Sequence, residues 1–346
     1  MKKHKWTLGF GACLTAFTVF LALEIFVLPS AYQENATQMN TAMFASAQAA
    51  EASALAEDAG AEEQATDATE QNHGQRKRGR RSETSEAQGD SQTDDAQASV
   101  ESVQTGTGTR TYQDENISVT LTETDVNGTA VYVADVRLSS AEYLKAAFAG
   151  DTYGRNITAR TSEIAAANDA ILAINGDYYG TRERGWVIRN GVVYRDSADS
   201  ADVLCLYADG TMSIVDPATA SAEALVADGV WQAFSFGPAL VEDGEISVSE
   251  RDEVGRAMAS NPRTAIGMID PLHYVFVVSD GRTSASEGLS LYELAQFLQS
   301  LGAQTAYNLD GGGSSTMVFQ GEVINNPTSS GNTIKERGVS DIVYIG

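Results

Sequence analysis

Two short segments of the chain each place an amide and a carboxylate at the end of an apolar run. They are Asn175-Gly176-Asp177, which follows the apolar residues 170–174, and Asn308-Leu309-Asp310, which lies at the end of the apolar run 305–309. Because side chains alternate along a strand, the amide and the carboxylate of each segment project from the same face. Two such strands packed side by side would bring both carboxylates to one rim, which suits acid/base or nucleophilic chemistry at a glycosidic bond. The alternative is that both aspartates only cap turns.

A glycine-serine loop, Gly311-Gly312-Gly313-Ser314-Ser315, follows Asp310 directly. Consecutive glycines suit a backbone that adopts positive φ or approaches a ligand closely, and their amide N–H groups can cradle an anion. The two serine hydroxyls add further donors. No lysine stands where a Walker loop requires one, and the glycines lack the spacing of dinucleotide folds, so nucleotide binding is disfavoured.

A third cluster, Asn261-Pro262-Arg263-Thr264-Ala265-Ile266-Gly267, contains a proline that sets the entry to a strand. Arg263 would therefore stand at a defined place, and its planar guanidinium suits a phosphate or a carboxylate. In an acidic domain the same arginine can instead pair with a structural acid. His273 and Cys205 fit structural roles better, as an edge histidine and a buried thiol, and no nucleophile elbow accompanies them.

The composition limits the class of partner. The 346 residues carry 23 basic and 47 acidic side chains, a net charge of −24, with two Cys and three His. A chain this acidic is not expected to bind nucleic acid, which requires basic surface. The few Cys and His residues give no zinc site within one chain, and neither a metal nor a cofactor is predicted. Calcium at the acidic residues 196–202 is the alternative, although that segment lacks EF-hand spacing.

The elements that position these residues are mostly antiparallel strands. Residues 116–122 and 129–138 are rich in strand-forming side chains and flank Asn127-Gly128, a two-residue hairpin signal. Similar turn pairs recur between later apolar runs. The expected fold class is α+β over residues 111–346, a mostly antiparallel or mixed β-sheet with a few packed helices.

Two helices interrupt the strand pattern. The longer one begins after Ser290, which forms a capping box with Glu293, and it ends at Gly302. A second helix is predicted over residues 161–168. Each helix is followed by one of the two short strands that end in a carboxylate.

The chain before residue 111 is predicted to lie outside the fold. Residues 6–28 are almost continuously apolar, and the lysines within residues 1–5 make that end a cytoplasmic tail by the positive-inside rule. This pattern predicts one transmembrane helix, a signal anchor in the cell membrane, with the domain extracytoplasmic. A signal peptide cleaved near Ala45-Ser46-Ala47 is the alternative. Residues 29–110 lack a sustained apolar period and are predicted to form a disordered low-complexity linker.

Three segments together resemble the phosphodiester glycosidase domain family. They are Ala173-Ile174-Asn175-Gly176-Asp177-Tyr178-Tyr179, the cluster at residues 261–267, and Tyr307-Asn308-Leu309-Asp310-Gly311-Gly312-Gly313-Ser314-Ser315-Thr316-Met317. The likeness runs over about residues 112–346 in family order and ends with Glu336-Arg337-Gly338-Val339-Ser340-Asp341. It implies hydrolysis of the bond between a sugar anomeric carbon and a phosphodiester oxygen.

The resemblance also implies roles for individual residues. Asp177 and Asp310 would be the catalytic carboxylates. The substrate-binding residues would be Asn175, Arg263, Thr264, Asn308, Gly311, Gly312, Gly313, Ser314, Ser315 and Arg337. The expected function is an exported, membrane-anchored hydrolase that cleaves sugar-1-phosphodiesters in cell-surface or extracellular glycopolymers. The alternatives are a non-catalytic glycan-binding or exopolysaccharide assembly protein, and a hydrolase of simple glycosides. The sequence leaves the oligomeric state undefined.

Overall fold

The structure of the chain, a computed structural model, describes residues 44–45, 108–199, 201–252, 260–330 and 333–346. The predicted cytoplasmic tail and membrane anchor, residues 1–5 and 6–28, lie outside these ranges. Within the ranges, none of the helices has the length and apolar character needed to span a bilayer.

Among the described residues after 108, the structure has twenty strands and three α-helices. The strands are β1 (Thr109–Gln113), β2 (Ile117–Val126), β3 (Thr129–Leu138), β4 (Leu144–Phe148), β5 (Leu172–Asn175), β6 (Val187–Arg189), β7 (Val192–Arg195), β8 (Val203–Tyr207), β9 (Met212–Val215), β10 (Val230–Phe234), β11 (Ala239–Glu242), β12 (Glu245–Ile246), β13 (Arg263–Asp270), β14 (His273–Ser279), β15 (Thr305–Asn308), β16 (Met317–Phe319), β17 (Glu322–Val323), β18 (Thr328–Ser330), β19 (Thr333–Ile334) and β20 (Asp341–Ile345). The helices are α1 (Thr161–Ala167), α2 (Ala222–Ala227) and α3 (Leu291–Ser300).

The strands form three larger sheets and one small hairpin. The largest sheet has eight strands in the order β1-β2-β3-β14-β13-β15-β11-β12. Two five-stranded sheets have the orders β7-β6-β10-β8-β9 and β17-β16-β5-β20-β4, and β18 pairs with β19. Neighbouring strands run antiparallel, for example β13 against both β14 and β15. The predicted α+β class with mostly antiparallel sheets is confirmed.

The three larger sheets enclose one apolar core, and the helices cover their outer faces. Alternation along β14 shows the arrangement: Tyr274, Phe276 and Val278 point into the central core. Val275 and Val277 point the other way and pack under the apolar stripe of α3. β14 is therefore buried on both faces, which explains why its sequence is continuously apolar.

The local signals for turns and caps correspond to the observed elements. Asn127 and Gly128 have φ values of 53° and 75° and join β2 to β3, as a two-residue hairpin turn requires. At α3, Ser290 Oγ accepts a bond from the Glu293 amide at 3.1 Å, and Glu293 Oε2 accepts one from the Ser290 amide at 2.9 Å. Gly302, at φ 91°, follows the helix end.

The two carboxylate-bearing strands do not pack side by side, contrary to the expectation from sequence. β5 pairs with β20 and β16, whereas β15 pairs with β13 and β11 in a different sheet. The ends of the two strands nevertheless meet. Asn175 Nδ2 donates to the Asp310 carbonyl at 2.6 Å, and the Asp310 amide donates to the Gly176 carbonyl at 3.3 Å. The convergence therefore arises between sheets, not within one.

One residue of the predicted linker packs on the folded domain. Phe44 is 8% exposed and contacts Trp231 edge to face, with ring centroids 4.6 Å apart. Ala141 and Ala208 complete the same apolar cluster. At this position the predicted linker makes a tertiary contact, which its low-complexity composition did not indicate.

Candidate functional site

A cleft of about 690 Å³ opens where strand ends from all three larger sheets converge. Its lining residues are Tyr178, Phe236, Asn261, Arg263, Arg282, Asn308, Asp310, Gly311, Gly312 and Arg337. Tyr178 follows β5, Phe236 follows β10, and Asn308 ends β15. The cleft thus gathers one carboxylate, three guanidinium groups, two aromatic rings and two amides, which suits a ligand with both a sugar-like and an anionic part.

Asp310 is the acidic side chain of the cleft. Its carboxylate accepts bonds from Ser314 Oγ at 2.6 Å and from Arg337 Nη2 at 2.9 Å. Burial raises the pKa of this carboxyl above its ordinary value, although Ser314 and Arg337 act in the opposite direction, and the nearby charge of Asp177 raises it further. A carboxyl in such an environment is suited to proton transfer or to stabilising positive charge on a substrate.

Asp177 lies beneath the surface of the cleft. It belongs to a buried charge cluster formed by Asp177, Arg189 and Asp341. Arg189 Nη2 is 3.0 Å from Asp177 Oδ2 and 2.7 Å from Asp341 Oδ2, and all three side chains are at most 1% exposed. The amides of Tyr179 and Ser235 also donate to Asp177, at 3.0 and 3.1 Å. Asp177 is not among the described residues that line the cleft.

The buried charge cluster holds more negative than positive charge. Burial raises the pKa of Asp341, the neighbouring carboxylates of Asp177 and Asp310 raise it further, and Arg189 opposes them. Arg189 is also fixed by bonds from Nη1 to the carbonyls of Ile188 and Ala233. Because removing two carboxylates from water costs several kcal/mol each, one arginine shared between them leaves protonation of Asp341 as the favourable way to reduce the excess charge.

Gly176 connects the buried charge cluster to Asp310. A Cβ atom at Gly176 would lie 2.3 Å from Asp341 Oδ1, so any larger residue would force that side chain to shift. The Gly176 carbonyl in turn accepts the Asp310 amide. The Asn-Gly-Asp segment therefore needs its central glycine for packing against Asp341.

Asn175 and Thr264 brace the site from the interior. Asn175 Oδ1 accepts from Thr264 Oγ1 at 2.9 Å and from the Thr316 amide at 3.2 Å. Both side chains are fully buried. Substrate contact by Asn175 and Thr264 stays a prediction. In the structure their side chains connect β5, β13 and the loop after β15.

The glycine-serine loop forms a short 3-10 turn over Gly312–Ser314. The amides of Gly312, Ser314 and Ser315 donate to the carbonyls of Pro262, Gly311 and Gly312, at 2.8, 3.2 and 3.2 Å. These three amides are thus occupied, and the expected anion cradle does not form from them. A Cβ at Gly313 would lie 2.8 Å from Ser329 Cα, so the glycine is required by tight packing within the protein. Ser314 and Ser315 are buried behind the cleft wall.

Guanidinium groups supply positive charge to the cleft. Arg263 is 2% exposed and its Nε donates to the Leu289 carbonyl at 2.8 Å. Arg337 is directed at Asp310 and at Ser314 Oγ. Arg282, which the sequence reasoning did not identify, donates to Asn261 Oδ1 from Nε and Nη2 at 3.2 and 3.1 Å.

Asn308 contributes an acceptor. Its Nδ2 donates to the Gly237 carbonyl at 2.8 Å, whereas its buried Oδ1 meets no donor among the described residues. A buried acceptor without a partner is costly in a dry site and can be satisfied by a ligand hydroxyl.

Two other side chains weighed from sequence have structural surroundings. His273 Nε2 lies 3.0 Å from Asp135 Oδ2 at the start of β14, an interior strand of the largest sheet, and Cys205 is fully buried in β8. Neither lies in the cleft. Among the described residues no group of His, Cys, Asp and Glu side chains is arranged to hold a metal ion.

Sequence reasoning missed Arg189, Asp341, Arg282, Tyr178 and Phe236 as members of the site. A usable signal existed for two of them. Arg189 is a charged residue at the end of the apolar run 186–188, and Asp341 closes the last segment of the family resemblance. Arg282 directly follows Asp280-Gly281, a residue pair that indicates a turn and gives no signal for a functional arginine.

The fold and the site define an antiparallel sheet protein with an acid-and-arginine cleft, and comparison with known proteins gives its family. Residues 168–346 match the phosphodiester glycosidase family. The chain belongs to that family.

Relatives of known name are similar over part of their length. SPbeta prophage-derived uncharacterized protein YomE of Bacillus subtilis is 31% identical over 184 residues, which cover 51% of this chain and 28% of that protein. Mouse N-acetylglucosamine-1-phosphodiester alpha-N-acetylglucosaminidase is 30% identical over 119 residues, 33% of this chain and 23% of that protein. The chain thus spans only about a quarter of the length of these relatives.

Two solved structures share the fold. The catalytic domain of zebrafish N-acetylglucosamine-1-phosphodiester alpha-N-acetylglucosaminidase, auto-inhibited by its pro-peptide, superposes with a TM-score of 0.54 at 21% identity, over 66% of this chain and 82% of that one. A hypothetical protein from Synechocystis gives a TM-score of 0.54 at 17% identity, over 69% and 64% of the two chains. At these identities the likeness establishes the fold.

Proposed function

We propose that this domain is a hydrolase that cleaves the glycosidic bond of sugar-1-phosphodiesters and releases a free sugar and a phosphomonoester. The observation that carries the proposal is the presence, in one cleft, of the Asp310 carboxyl with its raised pKa and the guanidinium groups of Arg263, Arg282 and Arg337. Such a substrate needs a carboxylate beside its anomeric carbon and positive charge beside its phosphate. Family membership, and the activity in the name of the mouse relative, support the same reaction class.

In this proposal the two sides of the cleft have different tasks. Tyr178 and Phe236 line the cleft and would pack against the apolar C–H groups of a sugar, and Asn308 Oδ1 would accept a bond from a sugar hydroxyl. The arginines face the phosphate. Asp310 lies between these groups and acts at the anomeric carbon or on the water that attacks it.

Asp177 is proposed to act through the buried charge cluster. The family resemblance implies that Asp177 is a second catalytic carboxylate, but its ion pair with Arg189 and its burial favour a positioning role. A phosphomonoester is an acidic leaving group that departs with little help from a general acid, so one carboxyl at the anomeric carbon is sufficient. The negative charge of Asp177 raises the pKa of Asp310 and so contributes to the state of the carboxyl in the cleft.

The place of action is proposed from the sequence alone. The apolar residues 6–28 behind a lysine-rich start suit a signal anchor that leaves the domain outside the cytoplasmic membrane. The substrate would then be a cell-surface or extracellular glycopolymer that contains sugar-1-phosphodiesters. Protease added to intact cells should release the domain, and full protection of the domain would contradict this topology.

The reaction is tested with purified protein and a synthetic sugar-1-phosphodiester. Free reducing sugar and phosphomonoester should appear in equal amounts, and Asp310→Asn should lower the rate on the order of 10² or more. Asp270→Asn is a matched control, because Asp270 is exposed at the opposite end of β13 from Arg263. Binding of the diester without turnover would favour the non-catalytic glycan-binding alternative, and turnover of neutral glycosides alone would favour a simple glycosidase.

A further inference from the structure

Arg282 differs from Arg337 in the charge of its partner and from Arg263 in its exposure. Arg337 forms an ion pair with Asp310 at 2.9 Å. Arg263 is 2% exposed and its Nε is bonded to the Leu289 carbonyl. Arg282 is exposed, and within the described ranges its guanidinium bonds to one neutral group, the side-chain oxygen of Asn261.

Arg282 has this neutral partner in a domain that is rich in carboxylates. Residues 111–346 contain 32 acidic and 14 basic side chains, a net charge of −18. Among the described residues some arginines pair with a carboxylate, as Arg155 does with Glu183 at 2.8 Å, and others donate to backbone carbonyls, as Arg195 does to Gly185 at 2.6 Å. An exposed arginine in a cleft that is held by a neutral amide keeps its full charge for a ligand.

Asn261 is a rigid support for Arg282. It is 7% exposed, and its backbone pairs with Leu289 in both directions, at 3.3 Å from the Asn261 amide and 2.9 Å from the Leu289 amide. A Cβ at Gly288, where φ is 109°, would lie within 2.6 Å of the Asn261 backbone, so this glycine allows the close approach. The acceptor that orients Arg282 is therefore fixed before any ligand arrives.

The backbone around Arg282 is also adapted to direct its side chain into the cleft. Arg282 has φ 61°, a left-handed conformation uncommon for a residue with a side chain. Gly312, at φ 61°, leaves room for the guanidinium, because a Cβ there would lie 2.7 Å from Arg282 Nη2. The left-handed backbone at Arg282 and the missing side chain at Gly312 thus both make room for the Arg282 side chain in the cleft.

We propose that Arg282, held by Asn261, is the specificity determinant that binds the non-bridging oxygens of the substrate's phosphate. The inference rests on the proposed function and assigns its anion subsite to one residue. A guanidinium has five N–H groups, and two of its nitrogens are turned toward Asn261, which leaves its remaining donors for two phosphate oxygens. The expected preference is for a sugar-1-phosphodiester over a neutral glycoside of the same sugar.

The first test measures binding and does not depend on turnover. Inorganic phosphate and the free sugar are titrated separately into wild-type protein, Arg282→Ala, Arg282→Lys and the control Arg155→Ala. Arg282→Ala should weaken phosphate binding by about 10- to 100-fold while the affinity for the free sugar stays within about twofold. Arg282→Lys should restore only part of the loss, because an ammonium cannot bind two oxygens as a planar fork. Arg155→Ala should behave as wild type.

The second test addresses Asn261 as a positioning residue. Asn261→Asp replaces the neutral acceptor by a carboxylate that would pair with Arg282, so phosphate binding should fall although the shape of the side chain is preserved. A merely structural role for Asn261 would lower the thermal midpoint and leave the ratio of phosphate to sugar affinity unchanged.

The outcomes separate the two proposals. Equal losses of phosphate and sugar affinity in Arg282→Ala, unchanged phosphate affinity in that variant, or no phosphate binding by the wild-type cleft would each overturn the role of Arg282. Phosphate binding that depends on Arg282, in a wild-type protein that releases no sugar from a phosphodiester, would support the subsite and refute the hydrolase.

Discussion

Replacing Asp341 by asparagine should change how stability depends on pH. Asp341 and Asp177 share Arg189 at 2.7 and 3.0 Å, and both carboxylates are removed from solvent. Burial, reinforced by the charges of Asp177 and Asp310, raises the pKa of Asp341 in the folded state above its ordinary value of 3.8. The folded protein therefore binds this proton more tightly than the unfolded chain does.

The sign of the effect follows from that difference in proton binding. Stability contributed by the protonated Asp341 is present below the ordinary pKa and is lost as pH rises through the window up to the raised folded pKa. Each unit of difference between folded and unfolded pKa corresponds to about 1.4 kcal/mol. Asp310 has a raised pKa as well and adds a loss of the same sign in wild type and variant alike.

Denaturant unfolding of wild type and Asp341→Asn at several pH values measures the difference. The two proteins should have similar free energies of unfolding near pH 4, and the variant should become relatively more stable as pH rises, by up to about 1.4 kcal/mol per pH unit within the window. Arg189→Met should instead lose about 3 to 5 kcal/mol near neutral pH, because both carboxylates lose their partner. If the free energies of wild type and Asp341→Asn run parallel across this range, Asp341 is ionised in the folded protein and the attraction of Arg189 outweighs burial.

Three further variants test other contacts of the structure. Gly176→Ala should cost about 1 to 3 kcal/mol in denaturant unfolding, because its Cβ would lie 2.3 Å from Asp341 Oδ1; unchanged stability would show that the two groups separate easily. Phe44→Ala should cost about 2 kcal/mol and alter the fluorescence of Trp231, its partner at 4.6 Å, whereas an unchanged spectrum would mean that Phe44 does not pack there in solution. Asp177→Asn should lower the thermal midpoint and turnover together, while Asp310→Asn should lower turnover by on the order of 10² with little change in midpoint; the reverse pattern would exchange their roles.

The part of the fold that sequence could predict is the part encoded locally. The hairpin turn at Asn127-Gly128 and the capping box of α3 depend on residues within three positions of each other, and both occur where they were expected. The pairing of β5 with β20 joins segments far apart in the chain, and apolar alternation alone does not select a partner strand. The side-by-side arrangement of β5 and β15 was wrong for that reason.

The site divides in the same way. Asp310 was found because it precedes an unusual run of glycines, and the structure places it in the cleft. Arg189 bonds to Asp341 across 152 positions of sequence, and nothing in the residues around either one indicates the partner. The amides of Gly312 and Ser314 bond to carbonyls of their own neighbourhood and so do not contribute to the expected anion cradle, whereas substrate binding by the loop stays a prediction. Glycine spacing indicates a tight turn, but it does not indicate whether the amide N–H groups donate to the protein or to a ligand.

The distribution of charge explains how this cleft holds a carboxyl and arginines together without every arginine being paired with an acid. Asp177 engages Arg189 below the surface, so its negative charge raises the pKa of Asp310 without occupying a guanidinium of the cleft. Arg337 pairs with Asp310, and Arg282 is oriented by a neutral amide and remains available to an anion. Under the proposed function the cleft recognises phosphate beside an acidic group, and this recognition depends on the separation of partners, since paired charges at a surface contribute little net attraction.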